Sequence, residues 1–290
     1  MLATGRLLSG AGFVLTTIYL TKMVADWFTG RELATALAIL LTTWPFGIAI
    51  GQVGHTWIAS AYGWRAPFVV AALYCLVMAI AMRVAYRPPH VSGGVTPPQS
   101  AYLTKREWAL TLIASMAWAA FNAAYIIYLS FVPRVLIGGG LGSFEAASIV
   151  SLGSWAMIFS GAMCGYVADR TGRPDLILYV SLCVAMAALA LMPNVAWAVP
   201  ICVAFGLIGM SPPGLIVALT GAAMAPEKRA FGMGIYYSAY FLMVAPMPAL
   251  AGWLYDRSGD VFVPILLAIT MFALTFAANI AFRVVQRTTQ

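Results

Sequence analysis

Gly165-Tyr166-Val167-Ala168-Asp169-Arg170-Thr171-Gly172-Arg173 stands between two long apolar runs. Its charges and glycines interrupt a 290-residue sequence that is 62% hydrophobic and only 9% charged, where a soluble domain carries roughly 25% charged residues. Mean hydropathy is +0.91. A chain this poor in charge reads as an all-α integral membrane protein, because a spanning helix satisfies its own backbone polar groups where no water can. About 20 apolar residues suffice to cross a bilayer. Working outward from 165–173, nine such runs can be drawn, near residues 3–25, 34–58, 66–86, 108–132, 144–168, 176–193, 197–222, 230–254 and 261–282.

The formal charge of +7 means less than where the cations lie. With alternating spans and the 165–173 loop on the cytoplasmic side, the inner side holds Lys22, Arg31, Arg83, Arg87, Lys105, Arg106, Arg170, Arg173, Lys228, Arg229, Arg283 and Arg287. That is 12 of the 16 Lys and Arg residues, with Arg6, Arg65, Arg134 and Arg257 at or near the outer side. An excess of cations in short inner loops is what orients membrane helices, so the charge reports topology and nucleic acid is not an expected partner. The lipid bilayer is. Residues 87–106, with four prolines and two glycines, form the one long polar stretch and read as a cytoplasmic linker.

On either side of that linker the sequence repeats weakly. Trp57-Ile58 and Gly63 match Trp253-Leu254 and Gly259 at an offset of 196, and Gly10 matches Gly206 at the same offset. The charged starts Arg31-Glu32-Leu33-Ala34 and Glu227-Lys228-Arg229-Ala230 align to within about two residues. The sequence divides into 1–86 with three spans, the linker 87–106, and 107–290 with six.

The pattern G-x-x-x-D-R-x-G-R at 165–173, just after an apolar run, resembles the signature loop of the major facilitator superfamily. Arg6-Leu7-Leu8-Ser9-Gly10-Ala11-Gly12 resembles a second pattern of that family, R-x-x-x-G-x-G, which marks its fourth helix. The resemblance implies a helical bundle of two halves and a secondary transporter that moves a small organic solute by alternating access, as a multi-pass protein of the plasma membrane, in bacteria the inner membrane. The nine spans then correspond to the fourth to twelfth of twelve. Six spans occupy 184 residues from Glu107 and three occupy 86 residues to Tyr86, so equal halves leave 184 − 86 = 98 residues, three helices, unaccounted for before Met1. A transport-inactive remnant or accessory membrane protein is therefore the alternative expectation.

The same resemblance makes Gly165, Asp169, Arg170, Gly172 and Arg173 gating residues that latch the halves on the cytoplasmic side, and links Arg6 to coupling with a proton or the substrate. Pseudo-symmetry aims Asp169 at the start of the helix after Arg31. Physical chemistry is compatible with both roles. An Arg inside a span is costly and faces a cavity or a partner, and glycines let helices approach closely.

A substrate cavity needs polar or aromatic groups on one helical face, at i, i+3 and i+4. Trp118, Asn122 and Tyr125 have that spacing on the span from Trp108, and Tyr236, Tyr237 and Tyr240 cluster on the span from Ala230. In the family the first, fourth, seventh and tenth helices line the pathway, which favours the first group. The run Gly206-Leu-Ile-Gly209-Met-Ser211-Pro-Pro-Gly214 cannot be regular helix throughout, because each proline removes a donor and clashes one turn back. It reads as a hinge, with Ser211 a further cavity candidate. Trp44-Pro45 and Pro246-Met-Pro248 read as similar kinks.

Drug-efflux exchangers of the family carry G-x-x-x-G-P-x-x-G-G in the fifth helix, and Thr42 to Gly51 keeps only a proline and spaced glycines, which favours a symporter or uniporter. Cys75, Cys164, Cys183 and Cys202 lie in apolar runs without C-x-x-C spacing and read as small core residues. No H-E-x-x-H, G-x-S-x-G or P-loop pattern occurs, so neither enzyme chemistry, metal nor cofactor is expected.

Overall fold

A computed structural model describes residues 2–27, 33–87, 102–225 and 228–288. The described residues are all helix and turn. They form α1 (Leu2–Trp27), α2 (Leu33–Tyr62), α3 (Ala66–Ala85), α4 (Lys105–Gly138), α5 (Ser143–Thr171), α6 (Pro174–Leu191), α7 (Ala198–Ala204), α8 (Pro213–Ala223), α9 (Arg229–Val244), α10 (Met247–Ser258) and α11 (Phe262–Arg287). Among the described residues, seven helical stretches are long and apolar enough to cross a membrane: α3, α4, α5, α6, 195–223, 231–258 and α11. The stretches 195–223 and 231–258 are each two helices in series, so the rods follow the nine apolar runs closely.

Prolines explain which rods break. Pro246 and Pro248 stand two apart, and the helix stops at Val244 and restarts at Met247. Pro212-Pro213 ends a π-helical turn, Phe205–Gly209, that follows α7, and Pro213 opens α8 where no donor is needed. Pro45 in α2 and Pro133 in α4 remain inside continuous helices, so the kink expected at Trp44-Pro45 does not interrupt α2. Gly63 and Gly259, paired by the 196-residue offset, close their helices in the same way. Both take positive φ, 85° and 67°, and both amides donate to a carbonyl four residues back, at 2.9 Å.

The chain divides into two compact units, residues 1–47 with 57–96 and residues 48–56 with 97–290. In the first unit α3 buries only Pro67, and Leu73, Tyr74, Leu76 and Val77 along it are exposed, as a lipid-facing rod requires. Arg65, just before α3, lies over the Trp64 ring at 5.1 Å, an amphipathic pairing suited to the membrane surface. In the second unit α4 is buried along most of its circumference and forms the central rod. Its core is an aromatic series: Trp118 stacks on Phe121 at 6.0 Å, Phe121 meets Phe272 of α11 at 5.7 Å, Phe272 meets Phe205 at 6.1 Å, and Phe205 stacks on Tyr128 at 4.1 Å.

Ion pairs close one end of this unit. Thr104 and Glu107 form a reciprocal cap at the start of α4, and the Glu107 carboxylate also accepts from Lys228 Nζ at 2.8 Å and from the Ala225 amide at 3.3 Å. Arg283 of α11 holds Asp175 of α6 at 2.8 Å, and Arg106 donates to the Gln286 carbonyl at 3.0 Å. Glu107 thus fastens the α8–α9 connection to the start of α4. Glu107→Ala removes a cap and orphans a half-buried lysine, and should lower stability by about 1–3 kcal/mol. Glu107→Gln should cost less, because the amide oxygen still accepts from the Thr104 amide. Melting of the two purified variants in detergent checks the order, and equal melting points would contradict it.

Candidate functional site

The 165–173 stretch is mostly helix rather than loop. α5 continues through Gly165 to Thr171, and the connection to α6 is only Gly172 and Arg173. Gly172 takes φ 64° and its amide caps the Ala168 carbonyl at 2.9 Å, so it needs glycine for its backbone conformation. Arg173 precedes Pro174, whose fixed φ starts α6. Gly165 is half-buried, and a Cβ there would meet nothing within 4 Å, so the close helix contact expected of it is not made among the described residues.

Asp169, Arg170 and Arg173 are all exposed. Arg170 donates to the Tyr166 hydroxyl at 2.9 Å, one turn back, and lies 6.0 Å from that ring. Asp169 forms no ion pair among the described residues. Its expected target, the start of the helix after Arg31, belongs to the first unit, and Arg31 itself lies outside the described residues. A carboxylate in the last turn of a helix faces the negative end of the macrodipole, which disfavours it by about 0.3–1 kcal/mol. Helix stability therefore does not account for Asp169.

Arg6 is exposed on α1 in the first unit, and Gly10 and Gly12 face open space. The remaining candidates all belong to the second unit. Trp118 is half-buried on α4, with its ring 6.3 Å from that of Tyr240 on α9. Tyr237 stands edge-on to Tyr240 at 6.4 Å and is exposed. Asn122, one turn beyond Trp118, is only 4% exposed and donates its amide to the Trp118 carbonyl at 2.8 Å. These four residues share one wall of α4 and α9.

Tyr125 and Tyr236 point elsewhere. The Tyr125 hydroxyl meets Ser154 Oγ of α5 at 3.0 Å in the core. Tyr236 is fully buried, its carbonyl accepts from Ser115 at 2.8 Å, and its hydroxyl has no hydrogen-bond partner among the described residues. Ser211 is buried against Ser181 of α6, with the two hydroxyls 3.0 Å apart, and also donates to the Ile208 carbonyl, so it braces the broken rod from inside. Sequence reasoning missed Ser160 of α5, whose hydroxyl donates to the Gly206 carbonyl of the π-helical turn at 3.1 Å. Nothing in its local pattern marks it, because the partner is 46 residues away.

The comparisons with known proteins agree with this architecture. The sequence profile of the Major Facilitator Superfamily matches residues 1–248. A hexuronate transporter of Bacillus subtilis is 24% identical over 190 residues, covering 59% of this chain and 44% of that protein. A chloramphenicol resistance protein of Streptomyces lividans is 29% identical over 195 residues, covering 64% of this chain and 48% of that one. The chain thus spans about half the length of these curated relatives. Among solved structures, a bacterial homologue of the human lysosomal transporter Spinster, in an inward-facing and unoccupied conformation, shares the fold with a TM-score of 0.63 at 16% identity, covering 93% of this chain and 74% of its own. The chain belongs to the major facilitator superfamily, a family of membrane transporters.

Proposed function

We propose that this member of the major facilitator superfamily moves a small organic solute across a bacterial inner membrane by alternating access, as a symporter or uniporter. The observation that carries the reading beyond family membership is the α4–α9 wall. Trp118, Tyr237 and Tyr240 present aromatic faces beside a buried amide, on rods without a charged residue from 108 to 133 or from 231 to 244. A polar interruption of this kind is costly in a membrane helix and is a default mark of function. Asp169 and the arginines beside it supply the charges for a cytoplasmic latch, and Arg6 is the candidate for proton coupling.

Uptake into liposomes holding the purified chain tests the reading, with D-glucuronate and chloramphenicol as probes because relatives are named for a hexuronate and for chloramphenicol resistance. Saturable uptake of one probe above empty vesicles is expected, and none for either rejects this substrate range.

Orientation is testable separately. With Cys75, Cys164, Cys183 and Cys202 replaced, an impermeant thiol reagent should label Ser258→Cys in intact cells and Thr288→Cys only after permeabilisation. The reverse pattern would invert the topology drawn from the cation distribution.

A further inference from the structure

The α4–α9 wall carries no formal charge. Between Glu107 and Arg134 the α4 sequence has no Asp, Glu, Lys or Arg, and neither has α9 from Phe231 to Val244. Its available groups are the part-exposed rings of Trp118, Tyr237 and Tyr240 with their N–H and O–H, and the amide oxygen of Asn122. That oxygen accepts no hydrogen bond among the described residues, although Asn122 is 96% buried (4% exposed) and its amide nitrogen is engaged by the Trp118 carbonyl. Trp118 and Asn122 are four residues apart, so the ring and the oxygen lie on one face of α4, one turn from each other.

Each group rejects some chemistries. Aromatic faces bear the negative part of the ring quadrupole and an amide oxygen is an acceptor, so a carboxylate or phosphate would find repulsion from both and no cation to neutralise it, only the neutral N–H of Trp118 and O–H of Tyr237 and Tyr240. A permanent cation would find the faces but no carboxylate to compensate its lost hydration. A saturated ring with hydroxyls satisfies both features together. Its weakly positive C–H groups lie on Trp118 and Tyr240, and one hydroxyl donates to Asn122 Oδ1.

We propose that Trp118, Tyr240 and Asn122 form a subsite for a neutral, hydroxyl-bearing ring, and that any charge on the solute is met by residues outside this wall. The inference rests on the transport reading above and narrows its substrate class.

Calorimetric titration of the full 290-residue chain in lipid nanodiscs tests it, with methyl β-D-glucopyranoside as the neutral ring, sorbitol as the open-chain polyol, D-glucuronate as the anion and tetramethylammonium as the cation. The glucoside should bind about tenfold more tightly than sorbitol and at least as tightly as D-glucuronate. Trp118→Leu and Asn122→Ala should each weaken the glucoside by about tenfold, while Trp118→Phe, which keeps an aromatic face, should stay within about threefold. Melting points matched to the parent exclude misfolding as the cause, and Trp118→Phe supplies the comparison if Trp118→Leu melts early. Equal binding of glucoside and sorbitol, binding of tetramethylammonium alone, or no glucoside binding overturns the assignment. Saturable uptake with a KM unchanged by Trp118→Leu and Asn122→Ala would sink the subsite and leave transport standing. Trp118-dependent glucoside binding without uptake would sink transport and leave the subsite.

Discussion

Gly206→Ala should lower the melting temperature of the purified chain by about 5–10 °C, the largest stability effect expected of any single methyl group here. Gly206 lies in the π-helical turn between α7 and α8, and a Cβ there would overlap the carbonyl oxygen of Gly153 and come within 2.6 Å of the Gly153 Cα. Both opposing atoms are backbone, so no rotamer change can relieve the overlap. One rod must move away from the other. Overpacking of a close-packed interior costs about 1–3 kcal/mol, occasionally more, and a clash between two main chains belongs at the upper end. Displacing α5 from this turn would also break the bond from Ser160 to the Gly206 carbonyl and loosen Phe205 from Tyr128. Gly214→Ala is the control. A Cβ at Gly214, in the first turn of α8, meets nothing within 4 Å, so that variant should melt within about 1 °C of the parent or slightly above it. Equal losses in the two variants would show that the approach of Gly206 to Gly153 does not carry the stability of this bundle.

That contact also shows what could and could not be read in advance. The apolar runs were legible because lipid contact requires length and hydropathy, which are local properties, and the rods from α3 to α11 follow them. The break near Pro212-Pro213 was legible for the same reason, since proline acts on its own helix. Its consequence was not. Whether a proline ends a rod depends on what satisfies the freed groups, and Pro45 and Pro133 stay within continuous helices where Pro246 and Pro248 do not. Side-chain direction was legible only in part. The i, i+4 spacing placed Trp118 and Asn122 on one face, but Tyr125, at i+7, turns to Ser154 in the core because α5 packs on that side. Ser211 likewise faces Ser181 because the π-helical turn rotates the residues after it, a rotation that no count along a regular helix reproduces. Tyr237 is exposed next to Tyr240 whereas Tyr236 is sealed, a difference that their clustering in the sequence does not reveal.

Asp169→Asn should reduce transport by about 5- to 150-fold while leaving membrane abundance and melting temperature nearly unchanged. The range is that of a coupling free energy of about 1–3 kcal/mol between two conformers. The argument begins with where the carboxylate sits. Asp169 is exposed two residues before the end of α5, it forms no ion pair among the described residues, and it opposes the dipole of its own helix. Removing its charge should then stabilise α5 by a few tenths of a kcal/mol rather than weaken it. A lost function in this variant cannot be charged to lost folding. Arg170 differs, because its guanidinium is engaged by the Tyr166 hydroxyl and ring, so Arg170→Ala should lose a local contact as well as a cation. The two variants therefore separate a charge that matters in another conformer from one that also matters in this one. Initial rates of uptake at matched expression, with melting of the same preparations, make the comparison. Unchanged kinetics in Asp169→Asn would reject the latch, and a fall in rate matched by a fall in melting temperature would place Asp169 in the structure of α5 instead.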